Sequence, residues 1–431
     1  METAFRNTNK YFYYAFCILG VFFCIELLNT FYVKNGLPAS KISTLIRIIF
    51  EAIFISCFFI RRFIDRTTLK LFLIFAIVLV CSTVGNIIID TSAINLTTWG
   101  NHFSSKSSGL LSNMSFLYVN QCLFIFLYFY FYKLLFKKLS PMNKKSLFHL
   151  YEFIILFYGF TAIIGFLFDI EICRTYAGIP GYYRWGYNGL LPYTNASSGF
   201  WLIALFYSLF VFFKEKRKFL LAISLMATIL AGSKALWLLT GSIVFIFFMK
   251  FYSNRNKIAI LILSIIFFTL FSASVPYLLP ILRDKIDIVN DIAFAVEHKD
   301  DIIKVLSSGR LNFNDSGGGR IFEALSYLDY LSYFNYLFGG LGGIVIMELS
   351  FIDIPFAFGI LGTILFIKGY FLLFQNIESS FKNYFILFYF VTALLIGWLF
   401  NTPSLAPYLT IFILKTESNL KTEGLCKIQN S

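Results

Sequence analysis

Charge is scarce in this chain. Only 14% of its 431 residues are Asp, Glu, Lys or Arg, where a soluble domain carries about a quarter. That deficit excludes an ordinary soluble protein, and no polar stretch is long enough to form a separate soluble domain. Histidine is scarcer still, with three residues, His102, His149 and His298, spread along the chain. The seven cysteines (Cys17, Cys24, Cys57, Cys81, Cys122, Cys173 and Cys426) lie mostly inside apolar runs, without a close pair of metal or redox spacing. They read as small apolar fillers. Cys173 alone falls near an expected external loop, and no structural disulfide is expected. P-loop, dinucleotide fingerprint, HExxH and paired acidic nucleotide-sugar motifs are all missing. Neither ATP nor a metal-bound nucleotide donor is therefore expected to drive chemistry here, and the expected cofactor and metal complement is none.

What is present is apolar sequence. Hydrophobic residues make up 58% of the chain, and mean hydropathy is +0.75. They fall in runs near the ~20 residues that a bilayer-spanning helix needs, such as YFYYAFCILGVFFCIELL from Tyr11. The first run has no small-residue cleavage site after it and reads as a retained helix. Periodicity and length predict helices near 10–29, 42–60, 70–90, 110–132, 147–170, 196–213, 219–233, 235–251, 258–280, 351–374, 382–399 and 403–415. The expected fold is thus an all-α, polytopic inner-membrane bundle of about 12 spans, a single integral membrane domain over 1–431. The segments 219–233 and 403–415 are short enough to be tilted, broken or re-entrant.

The formal net charge of +13 is explained by its distribution. Lys and Arg cluster at 61–70, 133–145, 214–218 and 250–257, after every second apolar run. This is the positive-inside pattern, and it puts those loops and the start of the chain in the cytoplasm. Nucleic acid is not an expected partner. The segments 30–41, 91–109, 171–195 and 281–350 then face outward. The last is a long loop between the ninth and tenth expected helices, reading as a surface helix and then the Gly/Ser-rich turn SSGRLNFNDSGGGR.

Candidate chemistry gathers in 171–195 and 281–350. Arg174 and Arg184 flank TYAGIPGYY, Lys234 lies in AGSKALW, and Arg310 and Arg320 each follow a glycine. A single external arginine is more often solvated or against lipid headgroups, but several together suit a diphosphate, because the guanidinium fork binds phosphate oxygens in pairs. Tyr182, Tyr183 and Trp185 fit an interfacial aromatic belt as well as faces for stacking sugars. Asn188 and Asn195 add uncharged donors and acceptors. Glu348 and Asp353 precede an apolar helix, at a depth where a carboxylate needs a partner or a task. They suit a salt bridge or helix-start carboxylate, or a general base for a sugar hydroxyl. Arg47 and Glu51, four apart in the second span, are expected to neutralise each other.

With many spans, an arginine loop, a serine-basic junction and a long external loop ending in GGR and then LFGGLGG, the chain from about Arg174 to Gly362 resembles the O-antigen polymerases, the Wzy-type enzymes. The O-antigen ligases share much of this layout. RWGYNGLLPYTNAS matches the first arginine loop at Arg184, Gly186 and Asn195, and AGSKALW matches the junction at Ser233 and Lys234, with lysine where arginine is more usual. GGGRIFEAL matches the second-loop arginine at Arg320, and NYLFGGLGG the turn that follows it. ELSFIDIPFAFGILG matches the acidic helix start at Glu348, Asp353, Gly359 and Gly362. A ligase usually places a histidine near that point.

The resemblance implies metal-independent transfer of a growing glycan from undecaprenyl diphosphate to a sugar hydroxyl of the next lipid-linked repeat unit, at the periplasmic face of a bacterial inner membrane. It implies catalytic roles for Glu348 or Asp353. Substrate contacts are implied for Arg184, Asn195, Lys234 and Arg320, and the local chemistry of the loops adds Arg174, Arg310, Tyr183 and Trp185 as substrate-contact candidates. The implied partners are lipid-linked repeat units, membrane lipid and a chain-length regulator protein. Ligase and lipid-linked oligosaccharide flippase are the competing expectations.

Overall fold

The computed structural model describes residues 2–37, 41–61, 66–88, 113–175, 177, 186–191, 194–251, 333–340, 350–395, 399–400 and 402–429. Among these the chain is almost entirely helical, with no β-strand and one isolated bridge between Arg174 and Tyr187. The helices are α1 (Glu2–Lys34), α2 (Lys41–Arg61), α3 (Arg66–Ile88), α4 (Asn113–Lys137), α5 (Pro141–Leu167) and α6 (Thr194–Glu215). They continue as α7 (Lys218–Leu230), α8 (Lys234–Phe251), the short α9 (Tyr333–Phe338), α10 (Ser350–Phe374), α11 (Ser379–Leu395) and α12 (Ala406–Gln429). Every expected helix has a counterpart except 258–280, which lies outside the described residues.

Among the described residues, five helical segments are long and apolar enough to cross a membrane: Lys10–Lys34, Tyr118–Lys137, Pro141–Leu167, Ala196–Glu215 and Asp353–Phe374. Lys218–Leu230 is apolar but shorter, in line with a tilted or partial span. The expected helix at 403–415 instead opens as a 3-10 turn, Pro403–Leu405, and runs on to Gln429. No proline or glycine interrupts the polar stretch until Gly424, so nothing in the backbone chemistry stops it at Lys415.

The centre of the bundle is α6. It is apolar on all sides, and Phe200 to Phe206 are buried without exception, which is the pattern of a helix surrounded by others. Around it pack α7, α8, α11 and α12. In a bilayer, apolar area gains nothing by leaving lipid for protein, so close backbone approach through small residues has to supply the attraction. Gly159 of α5 does this against Ile223 of α7 and Trp201 of α6, and Gly199 of α6 against Leu399 and Leu405. The outer helices keep apolar faces turned outward, as in Leu73, Ile77 and Val80 on α3 and Ile360, Ile364 and Phe371 on α10. Stripes of that length suit contact with lipid tails rather than water.

Contacts between helix ends define two ends of the bundle. At one, the start of α1 meets the end of α4, with Lys138 donating to the Tyr11 hydroxyl, and Tyr132 of α4 donates to the Ala15 carbonyl. Ion pairs concentrate here: Lys133 with Glu417, Lys214 with Glu378, Arg217 with Glu152 and Lys415 with Glu215. This is the basic end. At the other, the end of α1 meets the segment that follows α5, forming the loop end.

One expected pairing is different. Arg47 does not close on Glu51; its Nη2 lies 2.7 Å from Glu26 Oε1 on α1. Glu51 instead accepts two bonds from the Asn120 amide of α4, at 3.0 and 2.8 Å. The i,i+4 spacing makes the Arg47–Glu51 contact available, but both carboxylates are buried; Arg47 takes the one on the neighbouring helix, and the Asn120 amide satisfies Glu51 in its place.

Candidate functional site

The loop end is built on the turn that closes α5. Its helix stops at Leu167, and Asp169 takes a left-handed conformation, φ 49°, which an aspartate tolerates better than most residues. A 3-10 turn, Glu171–Cys173, then leads to Arg174. The Arg174 guanidinium donates to Asp169 through Nε at 3.1 Å and through Nη2 at 2.7 and 2.8 Å, and the Tyr187 hydroxyl donates to the same carboxylate. The Tyr187 bond, then that of Arg174, holds the Asp169 carboxyl below its ordinary range. Partial burial, followed by the Asp169 bond, pushes the Tyr187 phenol up.

Beneath this pair sits Lys34, the last residue of α1. Its buried ammonium donates to the Arg174 carbonyl at 3.1 Å, to Asn188 Oδ1 at 2.6 Å and to the Gly189 carbonyl at 2.5 Å. Three acceptors match the three protons of an ammonium. Asn188, wholly buried, donates in turn to the Leu191 carbonyl at 3.2 Å. It therefore works as an internal tether, where the sequence suggests a ligand contact.

The same loop is fixed to the junction between α7 and α8. Tyr187 N donates to the Leu230 carbonyl at 2.6 Å, Thr175 N to the Gly186 carbonyl at 2.8 Å and Thr175 Oγ1 to the Ala231 carbonyl at 3.1 Å. Gly186 has φ 150°, and a Cβ there would lie 2.8 Å from the Ala231 oxygen, so only glycine allows the docking. Ser233 caps α8, its hydroxyl accepting from Leu236 N at 3.4 Å, and Lys234 is the first residue of that helix. GYN of the arginine loop and AGS of the serine-basic junction, far apart in sequence, are neighbours.

A second cluster surrounds a break in α10. Gly359 (φ 64°, ψ −177°) interrupts the helix, and the turn after α9 fills the break: Gly340 N donates to the Ala357 carbonyl at 3.1 Å. Asn335 Nδ2 holds the turn, donating to the Gly339 and Gly85 carbonyls at 2.9 Å each. Three backbones meet here with no room for a side chain. A Cβ on Gly85 would be 2.2 Å from Gly339 O, one on Gly339 would be 2.4 Å from Gly359 N, and one on Gly359 would be 2.3 Å from the Leu337 backbone. The turn of NYLFGGLGG is thereby seated against the glycine of PFAFGILG. Asp353 lies in the first turn of α10, ahead of the break, almost fully buried and beside Tyr118 and Cys122 of α4.

Of the residues singled out from sequence, Arg174 is in the first cluster and Asp353 in the second. Asn195 and Lys234 lie in the first turns of α6 and α8, with only their backbones described. Tyr183, Arg184, Trp185, Arg310, Arg320 and Glu348 lie outside the described residues. Lys34, Asp169 and Asn335 escaped the sequence reading. The signals for them were slight: a lysine ending the first apolar run in TFYVKNG, an acid after α5 in LFDIEICR, and the asparagine of NYLFGG. Cys173 is buried at the loop end, its Cβ 2.2 Å from where a Gly165 side chain would begin, and it is a free thiol, as are Cys17, Cys24, Cys81 and Cys122.

No protein-family model, curated protein or solved structure matches the chain.

Proposed function

We propose that the chain is a polymerase of lipid-linked oligosaccharide, transferring a growing glycan from undecaprenyl diphosphate to a hydroxyl of the next repeat unit. The observation that supports this reading is the pairing of the motif segments. The arginine loop is docked on the serine-basic junction beside Arg174, and the glycine turn is seated in the helix break that follows Asp353. Segments that share one task have a reason to be built against one another, whereas a belt of interfacial aromatics and solvated arginines has none.

In this reading, arginines of the two outward loops neutralise the departing diphosphate. Asp169 occupies the Nε and Nη2 donors of Arg174, and Tyr187 also contacts the guanidinium, so a phosphate oxygen shares Arg174 with these partners. Arg184, Arg310, Arg320 and Lys234 supply the remaining positive charge. Asp353 is almost fully buried in the first turn of its helix, so the proton-accepting role goes to Glu348, five residues earlier, within the outward segment 281–350. Tyr183, Trp185 and Asn195 contact sugars, and the site faces the periplasm.

The test is the surface-polysaccharide ladder of a strain carrying Arg184→Ala, Arg320→Ala or Glu348→Gln. Each is expected to lose long chains, retain single-repeat product and keep normal protein abundance, with a rate loss of ~10²-fold or more. Full ladders from all three variants would remove the reading. A ligase defect would differ, leaving polymer attached to its lipid carrier.

The runner-up, a flippase, is favoured by one feature: a broken helix that carries the buried Asp353 ahead of its break, together with the Glu26–Arg47 pair elsewhere in the bundle, is a pattern of transporters. It predicts that the same variants lose single-repeat product as well.

A further inference from the structure

The basic end holds a cavity of about 700 Å³ between α4, α5, the α6–α7 turn and α12. Six cations line it: Lys133, Lys137, Lys144, Lys145, Arg217 and Lys415. They face three carboxylates, each already engaged. Glu152 accepts from Arg217 at 2.8 and 2.7 Å, from the Tyr207 hydroxyl at 3.2 Å, and pairs with His149 at 3.0 Å. Glu215 accepts from Lys415 at 2.5 Å, and Glu417 lies 3.1 Å from Lys133. The cation excess is thus not balanced by the lining itself.

A positive-inside bias explains why lysines lie at this end of the molecule. It does not explain their convergence on one concavity. Nor does local helix chemistry favour it: α5 starts here, capped by Ser140 with Pro141 at its first position and no acid in its first turn, so the positive end of its dipole adds to the lysines instead of offsetting them. Part of the wall is apolar and aromatic, with Lys144 over the Phe136 ring at 5.1 Å and Lys415 over the Phe148 ring at 4.8 Å. A concave, cationic site with an aromatic wall, at the level where membrane-crossing helices end, matches an anion that carries both phosphate and hydrocarbon.

We propose that this cavity binds the phosphate of an anionic phospholipid headgroup, at the opposite end of the bundle from the Arg174 loop. Lys137 and Lys145 supply direct phosphate contact, while the ion-paired Arg217, Lys133 and Lys415 hold the walls. A soluble diphosphate shares the phosphoryl chemistry and is the other source to distinguish.

The experiment uses the full chain in phosphatidylcholine nanodiscs with and without phosphatidylglycerol, reading retained lipid by native mass spectrometry and the unfolding midpoint. Phosphatidylglycerol is expected to be retained and to raise the midpoint. The double variant Lys137→Gln/Lys145→Gln is expected to lose roughly 30-fold in retention, given about 1 kcal/mol per cation near an anionic surface. Lys218→Ala, an exposed lysine at the same end outside the cavity, is the control for general surface charge and is expected to lose far less. Inorganic pyrophosphate added to the phosphatidylcholine sample is the second arm. A midpoint shift from pyrophosphate alone, with no preference for phosphatidylglycerol, would overturn the lipid assignment. Equal retention by wild type and double variant, or equal loss in the control, would overturn the site.

Discussion

Asp169 is the residue whose chemistry the loop end exposes most directly to test. It is a surface carboxylate, yet Tyr187 and Arg174 both donate to it, so its folded-state titration lies below the usual value. A depressed carboxylate contributes its tether fully above its unfolded value, about 3.9, and loses it as pH falls through the lower folded value. Proteolysis in the 169–191 loop should therefore be flat from neutral pH down to about 4 and rise below it. Asp169→Asn should be susceptible at every pH and show no step. A wild-type profile with its rise near neutrality would assign the tether to another group. At this scale the sequence was readable for charge type and unreadable for partners. Arg174 stood out as an external arginine, but nothing local in LFDIEICR says that Asp169 will hold it, because the link depends on the left-handed turn that ends α5. Arg47 shows the same limit: spacing within one helix exposes Glu51, whereas the partner it takes, Glu26, comes from another helix.

The elements were far more legible than their interruptions. Apolar runs of bilayer length announce α1, α4, α5, α6 and α10 because burial in lipid constrains every residue of a span at once. The break in α10 leaves hydropathy unchanged, so PFAFGILG reads as continuous helix. Only the backbone of the turn from Gly339 to Gly340, distant in sequence, reveals why Gly359 departs from it. Gly359→Ala places a Cβ 2.3 Å from the Leu337 backbone and strains a φ of 64°, so the seated turn has to withdraw. Loss of monodisperse protein on detergent size exclusion is expected, at a cost of at least ~1–3 kcal/mol for the strained backbone alone. Gly20→Ala on α1, with nothing within 4 Å of its Cβ, should run as wild type. Equal profiles for the two variants would show that the turn is not held in the break.

At the scale of the whole molecule, the bundle has two chemically distinct ends. The basic end carries ion-paired lysines and a cationic cavity. The loop end brings together segments that the sequence marks for phosphate and sugar chemistry. The proposed polymerisation of lipid-linked repeat units would use that division, with reaction at one end and the proposed anchoring against anionic lipid at the other. The most direct measurement reconstitutes the purified chain in liposomes with its lipid-linked repeat units and no nucleotide or metal. Wild-type protein should produce a ladder of longer lipid-linked chains, and the Arg320→Ala protein only starting material. Liposomes in which the repeat unit crosses the bilayer but never lengthens would contradict the polymerase and leave a flippase in its place.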